Sequence, residues 1–319
     1  MNQLTTWEAA GLLQRQDNIL LLTHRRPDGD TVGCACGLCI ALRQLGKRAF
    51  LLPNPDITAA NAVYAEGLWA DPSFVPAFVV SVDIAAKSLF FPAAEAYIDQ
   101  IGLAIDHHPS FEGFGKYQCV DAGSAACGEI VYEICRAMGD VTPEVALPLY
   151  AAVATDTGCF LYANTRPNTH RVAAELLATG IDYYTVNQRH FRTKSKKRIA
   201  VESELMSGAE FFHDGQGVFL CIPLSMMQRT GATENDMEDI SSLALSVEGV
   251  DCGVILRELK PGEWKLSLRT GANGRVNATA ACGLLGGGGH AMAAGATVPG
   301  TLEEVKTKVL QAIDQIKKA

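Results

Sequence analysis

Four short stretches of this sequence end on side chains that hold cations or move protons. His24, Asp28 and Asp30 lie in THRRPDGD, Asp83 closes VSVD, Asp106, His107 and His108 stand side by side in AIDHH, and Asp156 falls in ATDTG. Each has an ordinary explanation alone: PDGD makes a good turn, an aspartate such as Asp83 could cap a helix, and a buried histidine with one satisfied hydrogen bond is common. Gathered in one place they would act differently, because desolvated carboxylates raise one another's pKa values unless cations offset the charge. Carboxylates with a minority of imidazoles suit Mn²⁺ or a similar borderline ion better than Zn²⁺, which favours thiolates or more histidines.

Whether these groups meet depends on the elements that carry them. NILLLT at 18–23 has the apolar run of a buried strand, and AFVVSV at 77–82 and IGLAI at 101–105 repeat it, each followed at once by one of the charged stretches. TTWE at 5–8 has the spacing of a capping box opening a short helix. Small and apolar residues from Thr31 to Leu45 predict a helix ended by Gly46, RAFLL predicts a further strand, and AANAVYAEGLW is helix-like. Strands alternating with helices imply a parallel sheet, with ligands at the carboxyl ends of its strands, so the charged groups should converge in one crevice.

After residue 123 the pattern turns helical through GSAACGEIVYEICRAMG, PEVALPLYAAVATDTG and NTHRVAAELLATG, and the polar, basic NQRHFRTKSKKRIAVESEL predicts a linker helix. Strand signals resume in GVFLCI, CGVILREL and WKLSLRT, with a closing helix near 302–317. The expected fold is α/β: a first domain over 1–185 with a parallel sheet flanked by helices, a linker helix over 186–207, and a smaller α/β domain over 208–319.

Composition bounds the function. At 319 residues the chain suggests about two domains, and 48% hydrophobic with 19% charged residues is a globular balance. No apolar run reaches the roughly 18 residues of a membrane span, and the amino terminus lacks a basic start and a long apolar core, so a cytoplasmic protein with no membrane partner is expected. The ten cysteines fit that placement: Cys34, Cys36 and Cys39 fall in one helical pattern at gaps that cannot all point one way, as packed thiols rather than a zinc knuckle. A net charge of −8 argues against wrapping long duplex nucleic acid.

HRRPDGD, VSVD, AIDHH and ATDTG resemble the four ordered motifs of the DHH phosphoesterase superfamily, and SLRTGANGRVNATAACGLLGGGGHAMAAG at 267–295 resembles its DHH-associated carboxy-terminal domain. The resemblance covers nearly the whole chain, whose length and two-part layout are similar to the NrnA-type oligoribonucleases and pAp phosphatases. It implies a catalytic set of Asp83, Asp106, His107 and His108 and a site for two Mn²⁺ ions, with Mg²⁺ or Co²⁺ as substitutes. His24, Asp28 and Asp83 would hold one ion, Asp30, Asp83, His107 and Asp156 the other, with Asp83 bridging. Asp106 would then support the site from behind, and His108 would face the substrate phosphate. Thr31-Val32 stands where the family often has Ala-Ile, and Cys34 where serine is usual. None of these is an implied ligand.

In the second half, the run from Gly286 through Gly287, Gly288 and Gly289 to His290 would let backbone approach a phosphate, its N–H groups forming an anion nest. A side chain would block that approach. Arg269 suits a two-point phosphate clamp, although a lone glycine run is usually a turn and a lone arginine usually a strand-end charge. The basic run Arg192, Lys194, Lys196, Lys197 and Arg198 reads first as a solvated linker face and only second as a nucleic-acid contact.

The resemblance therefore implies a metal-dependent phosphodiesterase that cuts oligoribonucleotides of about 2–5 nucleotides, too short to need a continuous cationic track, to nucleoside 5′-monophosphates. It would also act on mononucleotides such as 3′-phosphoadenosine 5′-phosphate (pAp). A homodimer is left open. Alternatives are a cyclic or linear dinucleotide phosphodiesterase acting on pApA, a pyrophosphatase or polyphosphatase, which the GGGH segment disfavours, and a non-catalytic nucleotide-binding regulator.

Overall fold

A computed structural model describes residues 2–237, 240–271 and 275–317. The chain forms two compact units that divide between Thr193 and Lys194.

The first unit is built on six parallel strands: Asn2–Gln3 (β1), Ile19–Leu22 (β2), Ala49–Leu51 (β3), Phe78–Val82 (β4), Ile101–Asp106 (β5) and Tyr117–Val120 (β6), in the order β1-β6-β5-β4-β2-β3. Leu20, Leu21 and Leu22 are buried on both faces of the sheet, each adding roughly 1.5–3 kcal/mol by its transfer from water. Such double burial is why β2 reads as a continuous apolar run instead of an alternating one. The expected strands at 18–23, 48–52, 77–82 and 101–105 are present, as is the capping box: Thr5 Oγ1 accepts from the Glu8 N–H while the Glu8 carboxylate accepts from the Thr5 N–H. β1 and β6 carry no sequence signal. β1 has two residues, and YQCV lacks the apolar density of its neighbours.

Helices Gly29–Gln44, Cys127–Met138 and Pro143–Asp156 supply most of the apolar cluster on one face of this sheet, and Cys34, Cys36 and Cys39 are buried in it as free thiols. AANAVYAEGLW is helical only over Ala59–Ala62. The stretch expected as one linker helix, 186–207, is interrupted instead. A short helix ends at Asn187, one π-turn spans Gln188–Arg192, and a separate helix runs over Lys196–Ser207. Thr193 is extended, and Ser195 starts the new helix by accepting from the Arg198 N–H. That helix buries Val201 and Leu205 within the second unit. The basic run is partly neutralised there, since Lys194 and Arg198 both bond Glu202 at 2.7 Å.

The second unit carries a mixed six-stranded sheet of Glu210–Phe212 (β7), Gly217–Ile222 (β8), Cys252–Lys260 (β9), Glu263–Thr270 (β10), Gly288–His290 (β11) and Ala293–Pro299 (β12), in the order β11-β12-β10-β9-β8-β7. Among the described residues of this sheet only β8 and β9 pair in parallel. Helix Leu302–Lys317 packs Val305, Val309 and Ile313 against Val254, Leu256 and Leu266. β11 and β12 escape sequence analysis because glycine and alanine dominate them, and those residues lack the branched or aromatic signature of strands.

Candidate metal centre

β5, β4 and β2 are adjacent and parallel, so the residues leaving their carboxyl ends emerge at one edge of the sheet. His24 follows β2 by two residues, Asp83 follows β4 directly, and Asp106 is the last residue of β5 with His107 and His108 behind it. Asp28 caps the helix that rises from the loop after β2, accepting from the N–H groups of Asp30 and Thr31, both at 3.1 Å. Asp83 itself has a left-handed backbone, φ 58°, and its N–H donates to Ile105 O at 2.8 Å. That conformation costs a non-glycine residue roughly 1–3 kcal/mol, and it turns the carboxylate out of the strand direction at the sheet edge.

Asp156 arrives from elsewhere in the chain through a seam of glycines. Gly29, Gly33 and Gly37, four residues apart, lie on one face of helix Gly29–Gln44 and meet helix Pro143–Asp156 so closely that no Cβ fits. A Cβ on Gly33 would stand 2.3 Å from Pro148 O, and one on Gly29 2.3 Å from Thr155 Oγ1. The seam thus brings the amino end of one helix, with Asp30, beside the carboxyl end of the other, with Asp156. The i, i+4 glycine spacing in GDTVGCACG was the available sequence signal for it.

His107 Nε2 lies 3.8 Å from Asp30 Oδ2, 3.5 Å from Asp83 Oδ1 and 3.6 Å from Asp156 Oδ2. His24 Nε2 lies 3.5 Å from Asp28 Oδ1 and 3.9 Å from Asp83 Oδ2. These separations exceed a hydrogen bond. They match two ligands each about 2.1 Å from a common centre, which stand between about 3.0 and 4.2 Å apart as the angle opens from square to linear. The donors fall into the groups His24, Asp28, Asp83 and Asp30, His107, Asp156, with Asp83, His107 and His108 as a third. All six expected ligands are therefore together, and Asp83 touches both sets. His24 Nδ1 is taken by Arg25 O at 2.9 Å and His107 Nδ1 by Ser124 O at 3.2 Å, which leaves both Nε2 atoms free to face the carboxylates.

The electrostatics fit cations. Burial first, then Asp156 and Asp28, push the Asp30 carboxyl well above the ordinary range, although Cys127 N–H (2.7 Å) and Gly128 N–H (2.9 Å) from a helix amino terminus donate to it. Burial, with Asp30 and Asp28, does the same to Asp83. Burial and Asp28 raise Asp156 to about 7. Asp83 Oδ1 and Asp106 Oδ2 are buried with no hydrogen-bond partner among the described residues. Orphaned, mutually repelling carboxylates are what a divalent cation would satisfy, and oxygen donors with two imidazoles suit Mn²⁺ or Mg²⁺ chemistry.

Asp106 accepts twice from His108, at 2.7 Å from its backbone N–H and 2.8 Å from Nδ1. The Asp106 contact, opposed by partial burial, holds His108 above its ordinary pKa, and Nε2 remains free on a ring one-third exposed. Burial and the neighbouring His108 lower His107. The residues that depart from the family wording also brace the site: Thr31 Oγ1 donates to Val82 O at 2.8 Å, and Cys34 Sγ donates to Asp30 Oδ1 at 3.2 Å. Sequence analysis gave neither a role, and the donation from Cys127 and Gly128 left no local signal at all.

In the second unit the glycine run is not a nest. Gly288–His290 is an edge strand, whose N–H groups alternate between β12 and the open edge instead of turning to one side. Gly287 and Gly289 are crowded, by Gly295 O and Ala293 O respectively, whereas a Cβ on Gly288 meets nothing within 4 Å. His290 is exposed and Arg269 half-buried on β10. Among the remaining histidines, His170 stacks on Phe160, His213 pairs with Asp314 at 2.8 Å, and His190 meets Tyr64 Oη at 3.0 Å.

Comparison with known proteins places the parts. Residues 18–157 match the DHH family, N-terminal domain, and residues 217–319 match the DHHA1 domain. A bifunctional oligoribonuclease and PAP phosphatase NrnA from Thermus thermophilus is 34% identical over 301 residues, 92% of this chain and 89% of its own. The crystal structure of an exopolyphosphatase-related protein from Bacteroides fragilis superposes with a TM-score of 0.84 at 24% identity, over 98% of this chain and 96% of that one. A manganese-bound exonuclease RecJ shares the fold at a TM-score of 0.54 and 13% identity, over 100% of this chain and 96% of that one.

Proposed function

The chain belongs to the DHH family, among its NrnA-type members with a DHHA1 domain, and from that premise we propose that it hydrolyses short oligoribonucleotides to nucleoside 5′-monophosphates and removes the 3′-phosphate of pAp. The observation that carries this reading is the convergence of His24, Asp28, Asp30, Asp83, His107 and Asp156 with buried carboxylate oxygens left unpartnered. His24, Asp28 and Asp83 would hold one divalent ion, and Asp30, Asp83, His107 and Asp156 a second, with Mn²⁺ favoured by the mixed oxygen and imidazole set. Bound there, the ions would supply Lewis acidity, activating water and offsetting charge on the phosphoryl oxygens.

The chain's own groups do the rest. Asp106 fixes His108 through two bonds, so a protonated Nε2 can donate to a phosphoryl oxygen as negative charge grows on it. Ser124 O and the amides of Cys127 and Gly128 hold His107 and Asp30 in place. Arg269, Gly287, Gly288, Gly289 and His290 would bind the terminal nucleotide, which gives catalysis to the first unit and recognition to the second.

Incubation of the purified chain with a 5′-phosphorylated diribonucleotide, with Mn²⁺, Mg²⁺, Co²⁺ or EDTA, tests the reading. Release of 5′-monophosphates with Mn²⁺ and none with EDTA is expected. No hydrolysis with any of the ions would overturn it.

A further inference from the structure

Immediately beside the carboxylate cluster stand cations that do not pair with it. Arg25 and Arg26, between His24 and Asp28, are exposed, and neither side chain makes a hydrogen bond or ion pair among the described residues. Several other arginines among the described residues are engaged: Arg43 bonds Ala49 O and Gly67 O, Arg136 and Arg171 bond Glu133, Arg229 bonds Glu204 and Arg257 bonds Glu234.

The loop that carries the two guanidiniums is tied to its surroundings at three points and braced within itself. Asn54 Nδ2 donates to His24 O at 2.9 Å, His24 Nδ1 meets Arg25 O at 2.9 Å, and Asn61 Nδ2 donates to Pro27 O at 3.4 Å. The Arg25 N–H donates to Leu89 O at 2.7 Å, which ties the loop to the 3₁₀ turn Lys87–Leu89 that follows Asp83. Lys87 is a third exposed cation without a side-chain partner among the described residues, since Glu112 takes only its backbone N–H. Within this frame Arg26 is held left-handed at φ 54°, a conformation glycine or asparagine would adopt at less cost. A rigid loop, a strained arginine and three unpaired cations at the same strand ends as the metal ligands together describe an anion site. A guanidinium there offers five donors in a fork that matches phosphate.

We propose that Arg26, with Arg25 and Lys87 beside it, holds a phosphate of the substrate other than the one being cleaved. This rests on the phosphodiesterase reading above and deepens it, because it names a group in the first unit that selects substrates with a second phosphate.

The test compares kcat/KM for pApA and for ApA, which differ only in the 5′-phosphate, in the wild type, Arg26→Ala, Arg26→Lys and Arg26→Gly with Mn²⁺ present. The expected result is that Arg26→Ala lowers the pApA-to-ApA ratio about tenfold, chiefly through KM, a loss corresponding to about 1.4 kcal/mol. Arg26→Lys should restore part of it. Arg26→Gly should lose the ratio while melting no lower than the wild type, because glycine relieves the left-handed backbone. A ratio unchanged in Arg26→Ala, or equal losses on both substrates through kcat, would overturn the assignment while leaving the phosphodiesterase reading intact. A wild type that cleaves neither dinucleotide would overturn both.

Discussion

Arg269 and His290 stand on the same face of the second sheet with only Ala293 between them. Arg269 on β10 is paired with Ala293 on β12, and Ala293 is paired in turn with His290 on β11. Directly paired residues of antiparallel strands share a face, so the two side chains rise about 10 Å apart, two strand spacings, over a floor of one methyl group. On its other side Arg269 is paired with Gly253, which has no side chain at all.

That floor gives a prediction. Ala293→Leu should weaken binding of a fluorescent short oligoribonucleotide nearly as much as Arg269→Ala, by roughly 1–2 kcal/mol, because it fills the space between the two polar groups without removing either. Unchanged affinity in Ala293→Leu, measured by anisotropy, would mean that Arg269 and His290 do not act on one ligand.

The three glycines before His290 should separate folding from binding. Gly287→Ala and Gly289→Ala force a Cβ to within 2.1 Å and 2.6 Å of a neighbouring carbonyl oxygen, so both should lower the melting temperature, by roughly 1–3 kcal/mol of stability. Gly288→Val has open space and should fold normally while losing oligonucleotide affinity. If Gly288→Val instead melts early, the open edge of β11 is not free in solution.

Gly33→Val should damage the candidate metal centre from a distance. The added side chain must displace Pro148 O and Ala152, prising apart the helices that bring Asp30 and Asp156 together, at a cost of roughly 1–3 kcal/mol or more. Calorimetric titration with Mn²⁺ should show weakened binding. Wild-type metal affinity in a destabilised variant would show that the seam serves stability alone.

Without metal, Asp83→Asn should be more stable than the wild type by roughly 1–3 kcal/mol, since it removes a buried, crowded negative charge and asparagine tolerates the left-handed backbone. Mn²⁺ at about 100 times its Kd should then stabilise the wild type by about 2.7 kcal/mol and the variant far less. Denaturant melts of both proteins, with and without ion, settle it; equal stabilisation of the two would remove Asp83 from the ligands.

His190 should make the protein acid-sensitive. Burial, helped by the Arg189 charge, lowers its pKa from 6.5 to about 4. The unfolded chain therefore binds more protons between those values, and stability rises with pH across that window. The contribution is complete above pH 6.5 and is lost as pH falls towards 4, by about 2 kcal/mol once partial solvent exposure is discounted. His190→Gln should flatten the decline in stability over that range. An unchanged slope would place the acid sensitivity elsewhere.

Much of the first unit was legible because its signals are local. A capping box, a buried apolar run and a glycine stop are set by contacts within a few residues, so Thr5 with Glu8, β2 and the helix near Thr31–Leu45 all lie where the sequence places them. The parallel-sheet rule then carried His24, Asp83 and His107 to one edge. Asp156 was legible as a charge but not as a neighbour. Its place follows from the fit of Gly29, Gly33 and Gly37 against a second helix more than a hundred residues away.

By itself, then, the sequence determined which side chains are available for metal chemistry and which strand ends present them, because residue type and short-range periodicity are properties of the chain. Tertiary structure alone decided how far apart those groups stand. It set the 3.5–3.9 Å gaps around His24 and His107, the left-handed turns at Arg26 and Asp83, and the alignment of Arg269 with His290 across a strand of glycine and alanine that leaves no mark in the sequence. Electrostatic energy depends on separation and burial, and both are fixed only when distant segments pack.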